Sequence, residues 1–156
     1  MRKLFLLFIG LNLWLLNTNA QVDSTANDWH LVQKTLNLYI DGIGTSDSLK
    51  VAASFHDSWQ LKYFEEDKIN IIRKEKYLER FNTPPHAKSS KWSGRIVFID
   101  ITNTVAVAKV EISTSKLLFT DYFNLMKTNK GWFIVDKIST RSPHKTVEVP
   151  TTQPKQ

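Results

Sequence analysis

The sequence predicts an α+β fold, with helices packed on one face of a strongly curved antiparallel sheet. Three observations carry this. Apolar residues from Trp29 to Ile43 recur at helical spacing, the spacing drops to two after residue 58, and residues 90–140 form four β-rich runs joined by short turns.

The first helix is expected over 28–43, where Trp29, Val32, Leu36, Tyr39, Ile40 and Ile43 make a single stripe. Gly42 and Gly44 are expected to end it. Thr45-Ser46-Asp47 can cap a second short helix running to about Phe55, with Leu49, Ala52, Ala53 and Phe55 on its buried side. Trp59, Leu61 and Tyr63 then alternate with polar residues as a strand, Glu65-Glu66-Asp67 turns the chain, and Ile69 to Ile72 return as a short strand. Tyr77, Leu78 and Phe81 mark a third helix over 73–82, stopped by Thr83-Pro84-Pro85-His86. The four runs that follow are 90–101, 104–114, 116–128 and 132–140.

The N-terminus predicts export. Met1-Arg2-Lys3 is basic, Leu4 to Leu16 is an almost wholly apolar run of 13 residues, and Ala20 offers a small residue for cleavage. A bilayer-spanning helix needs ~20 apolar residues, so residues 1–20 read as a signal peptide and the mature chain as periplasmic or secreted. No Cys follows the cleavage point, which excludes a lipoprotein anchor, and no membrane contact is expected after cleavage. Residues 21–27 form a polar lead, 28–141 the folded domain. Residues 142–156, with three Pro and no aromatic, read as a flexible tail.

Composition narrows function further. The 156 residues include no Cys, which excludes disulfides, thiolate metal sites and a Cys nucleophile. The formal charge of +6 falls to +4 once Arg2 and Lys3 leave with the signal peptide. What remains is scattered rather than gathered into the patch that a nucleic-acid partner requires. The four His, at 30, 56, 86 and 144, lack ligand spacing, so no metal is expected. Without a Gly-x-Ser-x-Gly elbow or a glycine-rich phosphate loop, neither a Ser-His-Asp hydrolase nor a nucleotide cofactor is expected; no cofactor is assigned.

The last hairpin predicts a partner. A three-residue loop, Asn129-Lys130-Gly131, would pair Thr128 with Trp132. Tyr122, Asn124, Met126, Ile134, Asp136 and Ile138 would then share one face, and Asp121, Phe123, Leu125, Phe133, Val135 and Lys137 the other. Both faces are largely apolar, whereas a half-solvated sheet alternates cleanly. Helices cover only one face, so the other is expected to pack on a second subunit in a homodimer.

Several segments together resemble a known family. They are Tyr39-Ile40-Asp41-Gly42-Ile43-Gly44-Thr45-Ser46-Asp47, Ala52-Ala53-Ser54-Phe55-His56-Asp57, Ile99-Asp100-Ile101, Ala106 to Glu111, Thr120-Asp121-Tyr122-Phe123-Asn124-Leu125 and Gly131 to Ile138. In this order they resemble the putative lumazine-binding branch of the nuclear transport factor 2-like superfamily over roughly 28–141. The resemblance implies a cone: a bent sheet wrapped around three helices, with a pocket at the open end and dimers through the sheet. It also implies relatives that range from isomerases, cyclases and dehydratases to non-catalytic binding or assembly domains.

Three residues are candidates for chemistry. His56 could serve as a general acid or base at a pocket mouth, or simply sit favourably at a helix C-terminus. Asp121, inside an apolar strand, could carry a raised pKa and exchange protons, or form an ion pair with Lys137 or Lys109. Tyr39 could donate a hydrogen bond into a pocket or be a satisfied core aromatic. Trp59, Tyr63 and Trp92 are candidates to stack a planar ligand or to fill the core, and Tyr122 and Lys137 complete the candidate pocket. The function expected is an exported domain binding a small apolar or planar molecule without assigned catalysis. One alternative is a proton-transfer enzyme using His56 and Asp121, with Tyr39 orienting the substrate. The other is a structural dimeric interaction module.

Overall fold

The computed structural model describes residues 26–144. The segment read as a signal peptide, most of the expected polar lead and all but the first three residues of the expected tail lie outside them. Among the described residues are α1 (26–45), α2 (Ser48–Ser54), α3 (Lys74–Leu78) and six strands: β1 (Phe55–Glu65), β2 (Lys68–Arg73), β3 (Ser93–Thr102), β4 (Val105–Ser113), β5 (Leu117–Thr128) and β6 (Gly131–Pro143). The strand order is β2-β1-β6-β5-β4-β3. Neighbours are antiparallel except β1 and β6, which run parallel. The architecture is the α+β cone expected, with that one parallel seam making the sheet mixed.

Helix α1 buries Val32, Leu36, Tyr39 and Ile40 in the concavity of the sheet, while Trp29 remains exposed. It runs past both Gly42 and Gly44. The stop is instead Ser46, in the left-handed region at φ +57°. Asp47 N–H donates to Gly42 O and Ser46 N–H to Ile43 O, the paired bonds of a Schellman ending. The two glycines serve close packing. A Cβ on Gly42 would stand 2.7 Å from Val51 Cγ2, and one on Gly44 2.8 Å from the Trp92 ring.

Asp47 caps α2 by accepting from the Leu49 and Lys50 N–H groups at 3.0 and 3.1 Å. The buried side of α2 is Val51 and Ser54, not the expected Leu49, which is 80% exposed. Capping at Asp47 sets the rotation of this two-turn helix and points Leu49 outward. The β1–β2 turn places Glu66 and Asp67 at φ +54° and +57°, a two-residue loop whose twist matches the hairpin.

The β5–β6 hairpin corrects the expected faces. Its loop is two residues long, since Thr128 pairs with Gly131 and Leu125 with Ile134. Ile134 is therefore buried on the concave side, and Phe133 pairs with Met126 on the outer side. A bulge then spends Val135 before Asn124 pairs with Asp136. Beyond it, Asp121, Phe123 and Lys137 face inward and Tyr122, Asn124, Asp136 and Ile138 outward.

One end of the cone is sealed. Trp132 Nε1 donates to Asp28 at 3.0 Å, Lys127 pairs with Asp28, and Thr35 Oγ1 donates to Trp132 O. Above this seal Phe55 stacks on Trp59 at 4.0 Å, and Tyr39 meets Phe123 edge-on at 5.0 Å. Towards the opposite end the cone holds open space beside Tyr39.

Candidate functional site

Asp121 and Lys137 enter the cone from neighbouring strands, and Tyr39 meets them from α1. Lys137 Nζ lies 3.0 Å from Asp121 Oδ2 and 2.7 Å from Tyr39 Oη. The Tyr39 hydroxyl donates to the same Asp121 oxygen at 3.0 Å, and Ser139 Oγ donates to Oδ1. All of Tyr39, Asp121 and Lys137 are buried. The ammonium also lies 5.2, 5.4 and 5.9 Å from the ring centroids of Tyr39, Tyr77 and Phe123, an aromatic surround that favours a cation.

Electrostatics fixes the protons of this cluster. Burial alone would lower the Lys137 pKa, but Tyr77 and Asp121 outweigh it and hold the ammonium above the ordinary lysine value. Burial, followed by the neighbouring Asp121 and Tyr77, pushes the Tyr39 phenol well above its usual value. Lys137 is a cation and Tyr39 a neutral donor throughout the physiological range. The cluster is a buried, hydrogen-bonded ion pair: Lys137 donates to Asp121 and Tyr39, and Asp121 also accepts from Tyr39 and Ser139. Of the alternatives open for Asp121, the structure places the pairing with Lys137; Lys109 pairs with Glu111 instead.

The cluster floors a cavity of about 260 Å³. Its walls include Ile43, Phe81, Trp92, Ile112 and Phe119. A vestibule of about 380 Å³ lies beyond it, lined by Tyr63, Phe64, Glu65, Thr140 and Arg141. Leu61, Arg80, Phe119 and Ser139 line both spaces.

The structure thus gathers Tyr39, Trp92, Asp121 and Lys137 around one cavity and places Tyr63 in its vestibule. Three candidates lie elsewhere. His56 is exposed, bonded through Nδ1 to Ser58 Oγ at 2.8 Å, in a separate surface depression with Lys74 and Phe133. It therefore has no access to Asp121, and the proposed couple of His56 and Asp121 does not form. Trp59 belongs to the core, its Nε1 without a hydrogen-bond partner. Tyr122 alternates to the outer face, where Lys109 Nζ lies 5.9 Å from its ring centroid.

Sequence reasoning missed Tyr77, Arg80, Phe119 and Ser139. Ser139 carried a usable signal, since it follows Lys137 by two along one strand and so shares its face. Tyr77 and Arg80 carried none, because where α3 sits depends on the β1–β2 hairpin before it. Among the described residues no group of three His, Asp or Glu could hold a metal ion.

Comparison with known proteins agrees with the fold. The family described as putative lumazine-binding matches residues 27–139. A nuclear transport factor 2-like protein of unknown function from Shewanella baltica OS155 is 26% identical, with a TM-score of 0.68 over 76% of this chain and 96% of that one. A like protein of unknown function from Methylobacillus flagellatus KT is also 26% identical, with a TM-score of 0.62 over 74% and 93%. A ketosteroid isomerase-like protein from Erwinia carotovora atroseptica, 13% identical with a TM-score of 0.54 over 75% and 96%, shares the fold alone. No curated protein matches the chain.

Proposed function

From the premise that the chain belongs to the putative lumazine-binding family, we propose that its cone binds a small planar molecule and performs no chemistry on it. The observation that carries this reading is the cavity itself: about 260 Å³ of space, aromatic and aliphatic on its walls, over a polar floor whose hydrogen bonds are all internal. Ligand sites typically occupy ~300–1,000 Å³ and are mostly apolar with a few fixed polar groups. At about 260 Å³ this one falls just below that range, the size of a one- or two-ring compound. Proton transfer is disfavoured because His56 lies outside the cavity and Asp121 is engaged by Lys137, Tyr39 and Ser139.

Fluorescence titration with lumazine tests the reading. Saturable quenching of Trp92 is expected, and Ile112→Trp, which fills the cavity wall, should abolish it while leaving the far-UV spectrum intact. Failure of lumazine and of a panel of one- and two-ring compounds to bind would refute the reading.

The same proposal includes export through residues 1–20 and a homodimer through the outer face of the sheet. In support of the dimer, that face exposes Phe64, Ile69, Ile71, Phe98, Tyr122 and Ile138. Its charges are largely spent on each other, Lys62 with Asp136 and Glu111 with both Arg95 and Lys109. Exposed apolar patches of this kind mark interaction sites. Sedimentation velocity should give a dimer that Ile138→Glu converts to monomer; a monomeric parent protein removes the proposal. For export, N-terminal sequencing of the periplasmic or secreted protein should begin at Gln21.

A further inference from the structure

The charges lining the cone do not cancel. Three basic side chains, Arg80, Lys137 and Arg141, and two carboxylates, Glu65 and Asp121, line the cavity and its vestibule. Lys137 pairs with Asp121, and Arg141 with Glu65. Arg80 makes no ion pair among the described residues, and its neighbour Glu79 is taken by Lys76.

This surplus cation borders both spaces: Arg80 lines the cavity and the vestibule alike. Its backbone N–H donates to Tyr77 O at 3.2 Å, and its guanidinium carbon lies 5.1 Å from the Tyr77 ring centroid. Stacking on an aromatic face holds the planar fork while leaving its N–H edge available. The polar groups of the cavity floor bond chiefly to one another. Lys137 donates to Tyr39 and Asp121, Tyr39 donates to Asp121, and Ser139 donates to Asp121.

We propose that the ligand is a planar ring bearing a single carboxylate, with the ring between Trp92, Phe81 and Phe119 and the carboxylate on Arg80. A guanidinium matches the two carboxylate oxygens with two parallel N–H bonds. A phosphate monoester would bring close to two negative charges at neutral pH. The second would find no cation, since Arg141 is held by Glu65. The inference rests on the reading of the cone as a binding site, and its test separates the two.

Isothermal titration of the purified protein with 2-naphthoate and 2-naphthamide compares one ring shape with and without the charge. The acid should bind about 10-fold more tightly or better, the increment expected of a charge-assisted hydrogen bond. Arg80→Gln should lower the affinity for the acid to that for the amide. Arg73→Gln, which removes one positive charge from the outer face, should preserve the preference. Equal binding of acid and amide, or a preference that survives in Arg80→Gln, overturns the carboxylate assignment and leaves the binding reading standing. Binding of neither compound overturns the carboxylate assignment, and the binding reading falls with it if lumazine and the panel of one- and two-ring compounds also fail to bind.

Discussion

Asp121 and Lys137 are not opposite one another in the sheet: Asp121 faces Ser139 and Lys137 faces Phe123, so their 3.0 Å ion pair runs diagonally from β5 to β6. The diagonal leaves Asp121 a second oxygen for Ser139 and brings the ammonium under Tyr39.

Breaking this pair should be costly, because the remaining partner would be a buried group without a counter-charge. Lys137→Met is expected to lower stability by about 3–5 kcal/mol, measured by urea denaturation. The double variant Asp121→Leu/Lys137→Met should recover much of that loss. A double variant as unstable as the single would show that packing around Lys137, not charge, is what matters.

Alkaline pH should unfold the protein earlier than its other groups require. The pKa values of Lys137 and Tyr39 are both raised in the folded state. Their contribution is complete below the unfolded values of about 10 and is lost as pH climbs through the folded ones. Melting temperature should hold steady to about pH 9 and fall above about 10. In Tyr39→Phe/Lys137→Met the alkaline fall should be shallower; an unchanged slope would assign it to other residues.

On the acid side the opposite sign applies to Asp28. Hydrogen bonds from Lys127 and Trp132 hold its carboxyl below the ordinary carboxylate value. Its contribution is present above the unfolded value of about 3.9 and disappears as pH falls through the folded one. Asp28→Asn should reduce the protein's loss of stability between neutral pH and pH 3, followed by near-UV circular dichroism at fixed temperature.

Ser46 occupies a backbone conformation better suited to glycine. Ser46→Gly should be neutral or slightly stabilising, while Ser46→Val should cost about 1–2 kcal/mol. Equal melting temperatures for the two would indicate that α1 ends elsewhere in solution.

The Trp92 ring is held by absent side chains. A Cβ on Gly94 would lie 2.6 Å from Ile40 Cγ2 and 3.0 Å from Trp92, and one on Gly44 2.8 Å from the same ring. Gly44→Ala should displace Trp92, shift its emission and weaken binding of planar compounds several-fold. Gly42→Ala meets Val51 backbone at 2.9 Å and should instead lower stability.

The inward placement of Asp121 and Lys137 was legible in alternation, though through two departures that cancel. The loop is one residue shorter than expected, and the bulge at Val135 restores the frame. Phe133 and Ile134, between the two, exchange faces, and Val135 in the bulge lies beside Asn124 and Met126 on the outer face. No local pattern announces such a bulge. The stripe of α1 was equally plain, but its ending was not: glycine is the usual stop signal, and here Gly42 and Gly44 serve contacts with Val51, in the next helix, and with Trp92, far along the chain. His56 misled for a related reason. Its ionisation chemistry suits catalysis, yet nothing in a helix-end histidine reveals which side of the wall it stands on.

The parallel seam between β1 and β6 has a kinetic consequence. Phe55 aligns with Ile134, and Leu61 with Lys137, so the strand that carries the β1–β2 hairpin waits for the last strand to be made. The chain cannot close from its beginning, and long-range pairing of this kind slows folding. Until residues 131–143 emerge from synthesis, the β1–β2 hairpin and the β3–β5 meander have no strand to join them around Tyr39. A chain cut before β6 should therefore behave as an unfolded polymer rather than as a smaller cone.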